Sequence, residues 1–200
     1  MVSYGSGTLG PEGAARTCDP ALWDVADMWV FGDSIAQRCM ADLVTLLAPR
    51  VLAWDTANGR ATTACVDRLA LFLAEHPAPS VVLMLSGAND IFDPSVMPAQ
   101  ISRALSLLPE SVLIWRDVQV CRTSQVEAVK VADQRNTGWV NLALHDAQPA
   151  VKVIEWARPL ASKPSRLTAY LSDGVHPNTL GVAYHNAIIQ QGLERLVPLP

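Results

Sequence analysis

From Asp27 onward the chain alternates short, uninterrupted apolar runs with longer stretches whose apolar residues recur every three or four positions. No other feature constrains the fold as much. A run that is apolar at every position suits a strand buried on both faces, whereas the helical recurrence belongs to an element that covers one face. The pattern predicts strands at residues 28–31, 51–54, 81–86, 112–116 and 151–156. Helices are expected between and after them, near residues 35–47, 63–75, 97–107, 123–147 and 179–196. Pro98 fits the first turn of the third helix, and Thr123 is a candidate cap for the fourth. Five βα units in succession imply an α/β protein: an open, doubly wound, flavodoxin-like three-layer α/β/α fold with a five-stranded parallel sheet. Such sheets bind ligands at the carboxyl ends of their strands, where the strand order reverses.

Residues 1–20 are rich in Gly, Ser and Pro without periodicity, and read as a flexible N-terminal arm. No repeat or linker divides residues 21–200, which are expected to form one domain. Half of the 200 residues are hydrophobic and 17% are charged, a balance that excludes a disordered chain and calls for a sizeable core. A net charge of −4, with the arginines scattered, supplies no electrostatic reason for nucleic acid as a partner. The longest apolar runs are too short for a transmembrane segment. The first residues lack the basic start and apolar core of an intact secretion signal, and a secreted or cell-envelope location is expected ahead of a cytoplasmic one. Cys18, Cys39, Cys65 and Cys121 form no CxxC pair and no zinc-like spacing. They read as buried thiols or as one or two disulfides. Neither a metal nor a cofactor is implied.

Four short motifs follow predicted strands or precede the last helix. Phe31-Gly32-Asp33-Ser34 leads from the first strand into the first helix, so Ser34 stands where the helix N-terminus favours negative charge. A serine at that position equally suits a simple helix cap. Asn58-Gly59-Arg60 follows the second strand, and Gly59 would let its N–H approach a ligand closely, or would only make a turn. Ser86-Gly87-Ala88-Asn89-Asp90 follows the third strand and offers the Asn89 amide as a donor, or a Gly-Asn turn. Asp173-Gly174-Val175-His176-Pro177 places a carboxylate three residues before an imidazole, which suits an oriented general base and also suits a solvated turn. His76, His145 and His185 have weaker cases, lying in a Pro-flanked loop and in helical patterns. Each motif alone is weak. Together they supply one sheet rim with a nucleophile, a backbone donor, an amide donor and an Asp–His pair, the complement for acyl transfer. Gly5, Gly7 and Gly10 spell a dinucleotide fingerprint, but they precede the first strand when they should follow it. The G-x-S-x-G elbow is missing, since Ile35-Ala36 follows Ser34.

In carrying G-D-S, a glycine, G-x-N-D and D-x-x-H-P in that order, residues from Asp27 to the end resemble the SGNH (GDSL-like) hydrolase superfamily. The resemblance implies catalytic roles for Ser34 as nucleophile, His176 as base and Asp173 as its orienter. It implies an oxyanion hole made of the Ser34 N–H, the Gly59 N–H and the Asn89 side chain. Asp33 and Asp90 would support their loops, and Ile35 stands where the better-known form has leucine. In the last third, Trp139-Val140-Asn141, Val153-Ile154-Glu155-Trp156, the Asp173 to Asn178 stretch, Gly181 and Tyr184 are similar to SGNH domains of bacterial cell-envelope O-acyltransferases. Trp139 and Trp156 equally suit core positions. The function so implied is a serine ester hydrolase acting through an acyl-enzyme on a short-chain ester of a carbohydrate or envelope glycan. Transfer to a sugar hydroxyl, a lipase or thioesterase on lipid esters, and a non-catalytic binding module are the alternatives. The expected partner is a small-molecule or glycan ester.

Overall fold

The computed structural model describes residues 3–197. Its centre is a six-stranded sheet made of β1 (Ala15–Thr17), β2 (Met28–Gly32), β3 (Leu52–Ala57), β4 (Val81–Leu85), β5 (Val112–Arg116) and β6 (Lys152–Ile154). The order is β1-β3-β2-β4-β5-β6, with β1 antiparallel to β3 and every other pair parallel. The sheet therefore has six strands where five were expected, because three residues of the N-terminal segment add an edge strand. Their backbone pairs with residues 55–57 while all three side chains stay exposed. With no apolar alternation to announce it, such a strand leaves no mark on the sequence.

The remaining five strands run, by chain order, second-first-third-fourth-fifth, the doubly wound arrangement whose order reverses between β2 and β4. Along β2 the pleat sends Met28 and Val30 to one face and Trp29 and Phe31 to the other, and all four are buried. On the first face lie α1 (Ser34–Leu47) and α7 (Thr179–Leu196), which contribute Met40, Leu43, Ile189 and Leu193 to the core. Three helices cover the second face: α2 (Thr62–Glu75), α3 (Met97–Leu107) and α4 (Glu127–Asp146), through residues such as Leu69, Ile101, Val140 and Leu144. Two short helices, α5 (Ala157–Ala161) and α6 (Pro164–Tyr170), bridge β6 to α7.

Pro98 sits in the first turn of α3 as expected. Thr123 does not cap α4, which starts four residues later; its N–H donates instead to the Asp173 carbonyl at 2.9 Å. Within the described part of the N-terminal segment, several residues have partners elsewhere in the chain. The Tyr4 carbonyl accepts from Asn136, the Ser6 carbonyl accepts from Arg122 at 2.5 Å, and Ser6 is buried. The guanidiniums of Arg122, Arg135 and Arg60 bind the Ser6 carbonyl, the Tyr4 carbonyl and the Glu12 carboxylate, interactions that composition does not reveal. All four cysteines are free thiols, three of them buried. Among the described residues no helix is long and apolar enough to cross a membrane.

Candidate active site

Ser34 is the first residue of α1, directly after β2, at the reversal point of the sheet. Asp33 caps that helix: its Oδ1 accepts from the Ile35 N–H at 2.9 Å, and the side chain is fully buried. Burial raises the Asp33 pKa, with the Arg116 charge and backbone N–H groups pulling the other way. At position 32 only glycine fits, since a Cβ there would lie 2.3 Å from the Ala36 Cβ. The tight strand-to-helix junction thus depends on Gly32 and Asp33, and Ser34 is left half-buried with its N–H in a helical turn that has no intrahelical acceptor.

His176 reaches this serine from across the sequence. Its Nε2 lies 2.9 Å from Ser34 Oγ, and its Nδ1 lies 2.7 Å from Asp173 Oδ2. Asp173 Oδ1 accepts in addition from the backbone N–H groups of Val175 and His176, at 3.0 and 2.8 Å. Partial burial works to raise the Asp173 pKa, but the His176 backbone and ring hydrogen bonds, the imidazolium charge and the Val175 N–H outweigh it and hold the carboxyl below its ordinary value. The loop has its own scaffold. Cys121 N–H donates to the Gly174 carbonyl at 3.0 Å, next to the Thr123–Asp173 bond. Gly174 has φ 83°, and a Cβ there would fall 1.8 Å from the Cys121 carbonyl oxygen. Asn178 then caps α7 by accepting from the Gly181 N–H at 2.9 Å.

Asn89 lies in a 3-10 turn after β4 and faces the same cavity as Ser34 and His176. Its Nδ2 donates to the Arg60 carbonyl at 3.0 Å, which occupies one of two amide hydrogens and fixes the plane of the group. Gly59, with φ 71°, does not line the cavity; this bond to its neighbour Arg60 ties its loop to Asn89. Asp90 turns away from the cavity and accepts from the Thr62 N–H and Oγ1, the latter at 2.7 Å, so that it caps α2 from another loop. Burial pushes the Asp90 pKa up to about 6.

The cavity measures about 190 Å³, small beside the roughly 300–1,000 Å³ of pockets that enclose drug-sized ligands. Ile91, Phe92, Val120 and Val175 give it apolar walls. Arg122 also lines it, with its guanidinium over the Phe92 ring and paired to Asp133 at 2.6 Å. Neither residue was singled out from the sequence, where Arg122 belonged to the scattered basic residues. A larger cleft of about 840 Å³ lies between α5, α6 and α7, away from Ser34 and His176. The other histidines stand apart: His76 pairs with Asp24 at 2.7 Å, His145 lies 3.8 Å from Asp117, and His185 is fully buried. Trp156 is a core residue, whereas Trp139 is 45% exposed. Among the described residues no group of three or more His, Cys, Asp or Glu side chains is placed to hold a metal ion.

A hydroxyl, an imidazole and a carboxylate in hydrogen-bonded series can move a proton from serine to histidine while the carboxylate steadies the resulting cation. No family model and no curated protein matches the chain. Solved structures do. The C-terminal catalytic domain of Streptococcus pneumoniae peptidoglycan O-acetyltransferase A is 15% identical, with a TM-score of 0.67 over 88% of this chain and 96% of that one. An acetyl xylan esterase, AlAXEase, is 12% identical with a TM-score of 0.67, over 83% and 99%. A member of the lipolytic G-D-S-L family from Veillonella parvula is 15% identical with a TM-score of 0.60, over 85% and 97%. The chain has the fold of the GDSL/SGNH hydrolases.

Proposed function

We propose that this chain is a serine esterase that works through an acyl-enzyme on a short, acetyl-like ester of a carbohydrate or cell-envelope glycan. The hydrogen-bonded series Ser34–His176–Asp173, opening onto a cavity of about 190 Å³, carries the reading. Ser34 Oγ attacks the ester carbonyl as His176 Nε2 takes its proton. The tetrahedral oxyanion is held by the Ser34 N–H and the free amide hydrogen of Asn89, and Gly59, which does not line the cavity, would have to turn its N–H inward to serve as the expected third donor. His176 returns the proton to the departing alcohol, and water activated by the same imidazole releases the acid. Asp173 stays ionised throughout, consistent with its lowered pKa.

The size of the cavity supports a short acyl group over a fatty chain. The glycan part of the reading draws on the resemblance of the last third and on two fold neighbours whose names specify peptidoglycan O-acetylation and acetyl xylan. Transfer is the second reading, favoured by the O-acetyltransferase neighbour. In it a sugar hydroxyl replaces water in the last step, and acylated product on added acceptor oligosaccharide marks it.

The test is hydrolysis of p-nitrophenyl acetate by the wild type and by Ser34→Ala. Loss of at least about 10³-fold in kcat is expected, together with loss of fluorophosphonate labelling. Equal activity in the two proteins rules the assignment out. Activity that climbs from acetate to octanoate esters rules out the short-acyl part.

A further inference from the structure

The proposed oxyanion hole rests on a loop that is held from outside the α/β unit. Arg60, 1% exposed, extends between Asp55 of β3, to which it is ion-paired, and Glu12 of the N-terminal segment. The Glu12 Oε1 to Arg60 Nε distance is 2.8 Å, and Glu12 is itself 38% exposed. Arg68 of α2 reaches the second Asp55 oxygen at 2.6 Å, so Asp55 is shared and Glu12 serves Arg60 alone. Beside this pair the Gly13 N–H donates to the Asn58 carbonyl at 2.8 Å, and the Pro11 carbonyl packs 3.1 Å from where a Cβ on Gly59 would stand. The same segment is anchored again on the far side of the Asn89 turn. There Asn136 Nδ2 donates to Ser6 Oγ at 2.9 Å and to the Ile91 carbonyl at 2.7 Å. Residues 7–17 are all exposed and add almost nothing to the core. They close instead on the loop of residues 58–60, through Gly13, Pro11 and the Glu12 carboxylate on the Arg60 side chain.

We propose that Glu12 is a positioning residue for the oxyanion hole. By holding Arg60 it fixes the Arg60 carbonyl, which sets the plane of the Asn89 amide. The inference rests on the reading of Asn89 as an oxyanion donor. A half-exposed ion pair contributes little to stability, so its loss should displace that donor without unfolding the protein. Small displacements of preorganised donors are costly to a transition state.

The experiment compares wild type, Glu12→Ala, Glu12→Gln, Asn89→Ala, Ser34→Ala and the Glu12→Ala/Asn89→Ala double variant on p-nitrophenyl acetate. Glu12→Ala is expected to lower kcat roughly ten- to a hundredfold with KM unchanged and Tm shifted by no more than about 4 °C. Glu12→Gln, which keeps the accepting oxygen, should recover most of the rate. In the double variant Glu12→Ala should add less than about twofold to the loss from Asn89→Ala, because both act on the same donor. A wild-type kcat in Glu12→Ala, or losses that multiply in the double variant, overturns the proposal. If Ser34→Ala is inactive while Glu12→Ala is unaffected, only the positioning role falls. An active Ser34→Ala overturns the functional reading itself.

Discussion

At the scale of single residues, the site is built from side chains that have several jobs open to them and one job left once their neighbours are in place. Ser34 is a good helix cap, yet Asp33 takes the cap and leaves the serine hydroxyl to His176. Asn89 has two amide hydrogens, and Arg60 takes only one of them. The free one accounts for a specific expectation. Asn89→Ala should reduce kcat for p-nitrophenyl acetate by about 10²–10³-fold with KM little changed, since the lost bond forms mainly in the transition state. An equal loss in binding of ground-state substrate would show that the amide holds the substrate and not the oxyanion. The motif residues were legible because acyl transfer calls for these residue types and each motif lies within a short contiguous stretch. Arg122 was not, since an arginine that folds onto Phe92 and pairs with Asp133 looks in sequence like any solvated charge.

At the scale of elements, the loops of the candidate site are set by contacts between segments distant in sequence. Asp90 caps α2 although it belongs to the turn after β4, and Cys121 and Thr123 pair with the loop of Asp173 and His176. Gly174 makes that pairing possible. Gly174→Ala meets a positive φ and a backbone oxygen 1.8 Å away, and a carbonyl cannot move aside as a flexible side chain would. The loop must shift, carrying Asp173 and His176 with it. Expected are a loss of more than about tenfold in kcat and a measurable fall in Tm, checked by kinetics and calorimetry together. Wild-type kinetics in a folded Gly174→Ala variant would show that the loop tolerates another path. The period of apolar residues announced the parallel strands and the long helices. It was silent on β1, whose side chains are all exposed, and on the delayed start of α4.

At the scale of the whole molecule, buried ionisable groups set the response to acid. His185 lies fully buried on α7, and burial together with the neighbouring Arg116 charge depresses its pKa to about 3. Unfolded, the same imidazole titrates near 6.5. Between those values the unfolded chain binds a proton that the folded one refuses. Stability from this group is therefore intact above about pH 6.5 and declines as pH falls through that window. Asp90 acts in the opposite sense: its raised pKa of about 6 makes the folded state the better proton acceptor, so its contribution grows as pH falls from there towards the ordinary carboxyl value of 3.8. A His185→Gln variant separates the two. Relative to it, the wild type should lose about 1.4 kcal/mol per pH unit between pH 6 and pH 4, measured by denaturant unfolding. Parallel curves for the two proteins would show that His185 is protonated in the fold.

The sheet class, the reversal point at which the site lies and the serine, asparagine and histidine motifs were all readable from the chain. Strand and helix periodicities are local, and the serine, asparagine and Asp–His motifs are each contiguous in sequence. Pairings across long separations had no such signature. The edge strand, the Glu12–Arg60 clasp, the Thr62–Asp90 cap and the small cavity walled by Phe92 and Val175 each join segments that nothing in their own residues connects. They arise because packing, together with the need of backbone and side-chain polar groups for partners, brings together segments far apart in the chain.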